Sequence, residues 1–195
     1  MTNSRLRDFG SFLHDELKIS PRGHTYIVEE GGSKSYIKAL HLGFKNNHDV
    51  IVLRHDLEKL ESINPVLRYP FKDKVRSCDF IVLINEKNKG LLVCFCEVKT
   101  SICEENKQSA LGQIRCSRVF FNYLMDSYRL TNDKNFNVDS KRFSYFLIHC
   151  GQEAKNTSLA HFEGGQLEIR SIRSYMAEDT NRIAKIPDAY NFFIR

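Results

Sequence analysis

The sequence predicts an α/β fold in which a mixed β-sheet is buried between other layers. Two uninterrupted apolar runs, within residues 79–85 and 91–98, are rich in branched and aromatic residues, as expected of strands buried on both faces. A long amphipathic segment covers about residues 102–129, and another apolar run follows at 143–150. The helix therefore forms a crossover, the usual connection between two parallel strands of one sheet.

The N-terminal part of the chain contributes a helix and several short strands. Leu6, Phe9, Leu13 and Leu17 recur at helical spacing, which predicts an amphipathic helix over residues 4–18. The other elements predicted in this part are a hairpin of strands 25–28 and 36–42 around a turn at 31–33, a strand at 50–53 and a helical segment at 55–62.

The central elements have clear boundaries in the sequence. Strands 79–85 and 91–98 are separated by a short polar connection that ends in Gly90, which is typical of an antiparallel hairpin. Ser101 and Glu104 match the spacing of a capping box and predict that the long helix begins near residue 102. After the strand at 143–150, the pattern predicts a strand at 166–172 and a helix near 173–185.

Composition is typical of one globular domain that spans residues 1–195. Hydrophobic residues make up 42% of the chain and charged residues 27%. No apolar stretch reaches the ~20 residues that cross a bilayer, and the N-terminus lacks the apolar core of a secretory signal. The six cysteines lie mostly within predicted elements, which suits buried thiols in a reducing compartment. We therefore expect a cytoplasmic protein without a membrane partner.

Positive charge is concentrated in the middle of the chain. The formal net charge is +5, and residues 66–118 hold ten basic and six acidic residues. The segment that contains the central hairpin therefore carries most of the excess. This distribution favours a polyanionic partner such as nucleic acid, although a solvated surface with scattered lysines would give a similar count.

Charged residues stand at the ends of the two central strands. Asp79 precedes one apolar run, and Glu97 and Lys99 end the other. Because side chains alternate along a strand, Glu97 and Lys99 point to the same face. Neighbouring strands lie about 4.8 Å apart, which is close enough for Asp79 and Glu97 to share one cation. A same-face ion pair at a strand end is the simpler alternative.

These residue types suit phosphodiester hydrolysis. Two carboxylates can hold Mg²⁺, which neutralises developing charge and lowers the pKa of bound water. A neighbouring ammonium group can orient that water and stabilise the charged transition state.

The order of Asp79, a hairpin partner strand with Glu97-x-Lys99, and a long helix resembles the PD-(D/E)xK nuclease superfamily. The resemblance covers about residues 70–150, with the first helix as an addition. It implies the restriction-endonuclease-like fold, a three-layer sandwich with a central mixed β-sheet flanked by helices. Cys78 stands where the named pattern has proline. The expected activity is that of a Mg²⁺-dependent nuclease that acts on DNA rather than RNA, as the nuclease subunit of a defence or repair assembly with partner subunits.

The resemblance also implies the role of each motif residue. Asp79, Glu97 and the backbone carbonyl of Val98 would bind Mg²⁺, with Mn²⁺ as a substitute. Lys99 would position or activate the attacking water. A catalytically inactive nuclease fold, serving as a scaffold or a nucleic-acid-binding subunit, is the alternative function. The intact trio of Asp79, Glu97 and Lys99 argues against that alternative.

Three further residues are candidates for the same site. Some members of the superfamily project a glutamine from the helix after the motif, and Gln108 and Gln113 are the candidates here, with Gln113 assigned to the catalytic set. Glu16 is a candidate ligand for a second metal, although a solvated carboxylate is the simpler interpretation. Cys94 and Cys96 lack a second Cys/His pair at zinc-finger spacing, so a zinc site is not expected.

Overall fold

A computed structural model of the protein describes residues 3–29, 37–46, 49–54, 77–150, 160–162, 165–172, 174–176 and 182–194. The described residues form two multi-stranded β-sheets, each containing both parallel and antiparallel pairs, and a small number of helices. The predicted α/β class with a mixed sheet is therefore confirmed. The predicted turn at 31–33 and the predicted helical segment at 55–62 lie outside the described residues.

The described helices are α1 (Asn3–Phe12), α2 (Glu104–Thr131) and α3 (Ala189–Ile194), with single 3₁₀ turns at Asp15–Leu17 and Ser140–Arg142. The described strands are β1 (Thr25–Glu29), β2 (Ala39–Gly43), β3 (Val50–Arg54), β4 (Phe80–Glu86), β5 (Gly90–Lys99), β6 (Phe143–Cys150), β7 (Ala160–Phe162), β8 (Gly165–Ile172), β9 (Ser174–Met176) and β10 (Arg182–Ile186). In the part of the chain that the structure describes, no helix combines the length and the apolar character needed to cross a membrane.

A six-stranded sheet forms the centre of the molecule, with the strand order β3-β4-β5-β6-β8-β7. Strands β4 and β5 form the predicted antiparallel hairpin, with Phe80 opposite Cys96. Its turn uses positive φ angles at Asn88 (67°) and Gly90 (92°), a conformation that asparagine and glycine tolerate best. Strand β4 is buried throughout, as its continuous apolar run predicts.

Helix α2 connects β5 to β6, and these two strands are parallel, as the crossover predicts. Together with α1 it covers one face of the six-stranded sheet. The apolar stripe that the sequence predicts along α2 is buried there, where it packs against side chains of β4, β5 and β6. Its buried apolar residues are Ala110, Leu111, Ile114, Phe121, Met125 and Tyr128.

A second, four-stranded sheet covers the other face, with the strand order β1-β2-β10-β9. Its apolar side chains and those of α3 share one core with the far side of the six-stranded sheet. The described part is thus compatible with the predicted three-layer sandwich, but one outer layer is largely β-sheet. The sequence predicts the strands at 25–28 and 36–42 but does not indicate that they belong to a separate sheet.

The predicted helix near 173–185 is wrong, because residues 174–176 and 182–186 are strands β9 and β10. Ala184 and Ile186 are buried while Lys185 between them is exposed, which is the alternation of a strand with one buried face. Pairing of β10 with β2 on one side and β9 on the other satisfies its backbone. Long-range pairing has overridden local preference here.

Two helix boundaries also differ from the prediction. The first helix ends at Phe12, and residues 15–17 form a separate 3₁₀ turn. The capping box at the start of the long helix does not form, because α2 begins at Glu104 with Cys103 as its N-cap residue. Ser101 instead bonds to the Asn106 side chain, whose Nδ2 donates to Oγ over 2.9 Å. A local side-chain contact has replaced the predicted cap.

Candidate active site

The register of the central hairpin places Asp79 beside the end of β5. Phe80 faces Cys96 in the antiparallel pair, so the residue before Phe80 lies next to Glu97. Strand β5 directs Val93 and Phe95 toward α1 and α2. Alternation then puts Glu97 and Lys99 on that same helix-covered face. The carboxylates and the amine are brought together where β4 begins and β5 ends.

Asp79 is fixed to β5 by two hydrogen bonds that run in opposite directions. The Asp79 amide donates to Oε2 of Glu97 over 3.2 Å. The Val98 amide donates to Oδ2 of Asp79 over 2.6 Å, a short bond to a charged acceptor. Each of the two carboxylates therefore accepts a hydrogen bond from a backbone N–H of the strand segment that carries the other carboxylate. The reciprocal bonds extend the hairpin by one further pair.

Glu97 and Lys99 form an ion pair at the end of β5. The Lys99 Nζ lies 2.5 Å from Glu97 Oε1. The Glu97 side chain is only 1% exposed, whereas that of Lys99 is 21% exposed. A carboxylate this deeply buried is costly without a counter-charge, and the Lys99 ammonium supplies one. This pair is more buried than the strand-edge pair that the sequence suggested as an alternative.

Gln113 connects this pair to helix α2. Its Oε1 accepts a 3.0 Å hydrogen bond from Lys99 Nζ and a 3.1 Å hydrogen bond from the Ser109 hydroxyl. Its Nε2 donates to the Ser77 carbonyl over 3.0 Å. The side-chain amide thus has defined partners on both sides, which sets its orientation. The structure brings Gln113 to the predicted site.

Ser117 holds the segment that leads into Asp79. Its hydroxyl accepts a 2.8 Å hydrogen bond from the Cys78 amide, and its side chain is fully buried. Ser109, Gln113 and Ser117 are spaced four residues apart, so they lie on one face of α2. The sequence analysis missed Ser77 and Ser117. The signal for Ser117 was the run of polar residues at i, i+4 and i+8 (Ser109, Gln113 and Ser117) inside an otherwise apolar helix face, whereas Ser77 had no such signal.

Two other candidates are not brought into this cluster. Gln108 is exposed and donates from Nε2 to Oε1 of Glu104 over 3.0 Å, within the first turns of α2. Glu16 belongs to the 3₁₀ turn at Asp15–Leu17, and its side chain is 74% exposed with a carboxylate oxygen 4.0 Å from His14 Nδ1. These contacts are those of solvated surface residues.

His149 lies in β6 directly beside Lys99, as its register partner in the parallel pair. It is almost fully buried, and that burial lowers the pKa of its imidazole, which favours the neutral form. Burial raises the pKa of the Cys78, Cys94 and Cys96 thiols, so all three stay protonated.

The donor set of this site is chemically suited to Mg²⁺. Asp79 and Glu97 offer hard carboxylate oxygens, and the Val98 carbonyl is adjacent in the chain. Among the described residues, no group of three or more His, Cys, Asp or Glu side chains is placed to hold a metal. Two carboxylates alone correspond to the way Mg²⁺ is held when water and phosphate oxygens complete its shell.

The ten basic residues of 66–118 are only partly described. Four of them, Arg68, Lys72, Lys74 and Arg76, lie outside the described residues. Of the others, Lys87, Lys89 and Arg115 are exposed, and Lys99 belongs to the cluster itself.

No family model, no curated protein and no solved structure matches this chain. Its fold class and its site are therefore defined by the residues and contacts described above. They describe an α/β protein that carries two acidic residues and an amine on one sheet face, at the ends of two neighbouring strands. The amine and the segment before Asp79 are both hydrogen-bonded to the helix that follows.

Proposed function

We propose that this protein is a Mg²⁺-dependent nuclease with a restriction-endonuclease-like fold, acting on DNA in preference to RNA. The observation that carries the proposal is the grouping of Asp79, Glu97 and Lys99 on one sheet face, with Gln113 bonded to the lysine. The resemblance to the PD-(D/E)xK superfamily gives this grouping its functional meaning. The excess of basic residues in 66–118 supports a polyanionic substrate.

Each residue of the group has a role in this proposal. Asp79, Glu97 and the Val98 carbonyl would hold Mg²⁺, with Mn²⁺ as a substitute; the ion neutralises charge on the phosphate and supplies a more acidic water. Lys99 orients the attacking water and stabilises negative charge on the transferring phosphoryl oxygens. Gln113 keeps the Lys99 ammonium in place. The backbone bonds between Asp79 and β5 preorganise the two carboxylates, so little rearrangement is needed at the moment of reaction.

In the proposed site, Glu97 and Lys99 each have a second role besides their contact with each other. Glu97 Oε1 lies 2.5 Å from the ammonium. In the proposed site Glu97 would also face the metal, and Lys99 would face the attacking water and the phosphate. Gln113 remains as a partner that keeps the lysine nearby. The ion pair is thus a resting arrangement in which the amine compensates the buried carboxylate.

The second candidate function is an inactive nuclease fold that serves as a scaffold or nucleic-acid-binding subunit. The burial of Glu97 favours this second function. A carboxylate that is 1% exposed, paired with the Lys99 ammonium and bonded to the Asp79 amide, is also typical of a structural ion pair. Such a protein would keep these contacts with no metal.

The test is an activity assay on plasmid, linear duplex and single-stranded DNA, with RNA as a fourth substrate. Each substrate is incubated with Mg²⁺, Mn²⁺ or EDTA. We expect cleavage with either metal, none with EDTA, and faster cleavage of DNA than of RNA. A defence or repair assembly would supply partner subunits, so pull-downs from the native host provide the partners for a second round. No metal-dependent cleavage in either round would support the scaffold function instead.

A further inference from the structure

Helix α2 has a second apolar stripe on the side that faces away from the sheet. Four large hydrophobic residues are exposed among the described residues, and three of them lie on this helix: Val119 (71%), Tyr123 (65%) and Leu130 (82%). At 100° per residue they fall within a narrow arc opposite the buried Phe121 and Tyr128. Exposed apolar residues aligned along one helix face are typical of an interaction surface. The stripe has no role in the site described above.

Gly112 lies on the same arc and has no function inside the described fold. It stands within α2, where glycine destabilises a helix relative to alanine. A Cβ atom built on it would meet no described atom within 4 Å. Within the described residues, nothing therefore requires glycine at this position. A missing side chain on an outer helix face is useful when another element packs closely against that face.

The stripe is self-complementary under a two-fold rotation. Consider two copies of α2 packed antiparallel through their outer faces. The two-fold axis is perpendicular to the helices and lies at the level of Phe121 along each helix. Gly112 of one copy then faces Leu130 of the other, because the two residues are equally far from the axis along the helix. Val119 faces Tyr123 of the second copy in the same way. The most exposed side chain in the stripe thus meets the position without a side chain.

The flanking charges agree with the same arrangement. Arg115 and Asp126 are both exposed and lie on either side of the axis at nearly equal distances. The antiparallel pairing brings Arg115 of each copy next to Asp126 of the other, where Asp126 also bonds to Arg129 of its own helix over 2.8 Å. A parallel pairing would instead place Arg115 next to Arg115 and Asp126 next to Asp126 of the second copy. The charge pattern therefore selects one orientation and one register.

We propose that this chain forms a two-fold symmetric homodimer through the outer face of α2, with Gly112, Val119, Tyr123 and Leu130 at its centre and Arg115–Asp126 pairs at its edges. Symmetric contacts in which a patch meets its own copy are the commonest form of homo-oligomer. The stripe is about 27 Å long at 1.5 Å per residue. A contact of this extent is small for an interface, so the dimer dissociates on dilution. The proposal is independent of the nuclease activity.

Sedimentation velocity over a concentration series, from about 1 μM to about 200 μM, tests the proposal. We expect wild type to pass from monomer to dimer across the series. The variant Val119→Lys/Leu130→Lys should weaken association at least ~10-fold and leave the melting temperature unchanged, because both side chains are exposed. Tyr190→Lys is the matched control, an exposed aromatic on α3 that should dimerise as wild type. A wild type that is monomeric throughout, or a double variant that dimerises like wild type, would overturn the proposal.

Charge reversal tests the orientation. Arg115→Asp and Asp126→Arg each place like charges across the axis and should weaken association about tenfold. The double variant restores opposite charges and should recover most of the wild-type affinity. If the double variant is no stronger than the single ones, the two helices do not meet in this register and the arrangement is wrong.

Discussion

Lys99 and Gln113 are joined by a 3.0 Å hydrogen bond that ties the last residue of β5 to helix α2. The same glutamine donates to the Ser77 carbonyl, two residues before Asp79. One side chain therefore positions the amine and the segment that carries one of the carboxylates. The relative placement of these groups depends on how α2 packs against the sheet, and not on the hairpin alone.

Gln113→Ala should lower the rate of cleavage about 10–100-fold, the range typical of residues that orient a catalytic or ligand group. The lysine loses one partner, and the Ser77 carbonyl loses its donor. The matched control is Gln108→Ala on the same helix, where the exposed glutamine bonds to Glu104 and lies outside the cluster. The measurement is single-turnover cleavage with substrate affinity recorded in parallel. Equal losses in the two variants would show that Gln113 has no special role.

Asp79→Asn and Glu97→Gln should each reduce cleavage by on the order of 100-fold or more, because each removes a charged metal ligand while keeping its shape. The amide oxygen introduced by Asp79→Asn can still accept the hydrogen bond from the Val98 amide, so the fold around it is retained. Nucleic-acid binding should be nearly unchanged, since affinity comes mainly from Lys and Arg contacts to phosphates. Fluorescence anisotropy in EDTA measures binding. Full activity in both variants would place the metal at other residues.

Ser117→Ala should destabilise the protein by about 1–3 kcal/mol, because it leaves the buried Cys78 amide without its acceptor. The control is Ser11→Ala, whose hydroxyl makes an exposed bond to the Arg7 carbonyl within α1. That change should alter the free energy of unfolding only slightly. Urea unfolding monitored by circular dichroism gives both values. Similar values for the two variants would mean that the Ser117 contact contributes little.

Stability should decrease when the pH falls below the ordinary histidine pKa of 6.5, because His149 and His41 both have lowered pKa values in the folded protein. Burial is the main cause at each, and Lys185 and Arg22 add to it at His41. The unfolded chain then takes up more protons than the folded one, so the contribution is fully present above 6.5 and is lost on acidification.

The measurement is the urea midpoint at about pH 7.5 and about pH 5.5. The double variant His41→Gln/His149→Gln should show a smaller difference between the two conditions than wild type. His24→Gln, an exposed histidine, is the control. An unchanged pH difference in the double variant would contradict the assignment to these two residues.

Sequence patterns were sufficient for the central elements. The apolar runs around Phe80 and Phe95 are continuous because both faces of these strands are covered. Their composition alone therefore indicates strands that are buried on both faces. The strand predicted at 166–172 is β8, but β9 and β10 were not predicted, because β10 is a strand only through its pairing with β2 and β9. Alternation over five residues, Arg182–Ile186, is too short to outweigh helical preference when no partner is known.

Sequence patterns were less informative about how the site is assembled. Alternation alone put Glu97 and Lys99 on one face, but nothing local indicated that Glu97 would be buried. The environment of Glu97 depends on tertiary contacts, which include the bond from its partner Lys99 to Gln113 on α2. The choice between Gln108 and Gln113 also depends on which side of α2 faces the sheet. Five residues along a helix change the direction of a side chain by more than a right angle. Ser117 contacts Cys78 across 39 positions of sequence, so its role follows only from the tertiary fold.

The role of Lys99 is the central claim, and single-turnover cleavage by wild type, Lys99→Ala and Lys99→Arg tests it most directly. Because Glu97 is 1% exposed, removing its counter-charge should also destabilise the protein, so the assay must be run well below the melting temperature of the weakest variant. Lys99→Arg keeps the charge and separates these effects, since a planar guanidinium cannot replace the compact ammonium beside the water.

At saturating protein, with metal present, we expect rapid cleavage by wild type and at least ~100-fold slower cleavage by both variants, with substrate affinity little changed. Lys99→Arg should fold as stably as wild type and still be impaired. Equal single-turnover rates for all three proteins would contradict a catalytic role for Lys99.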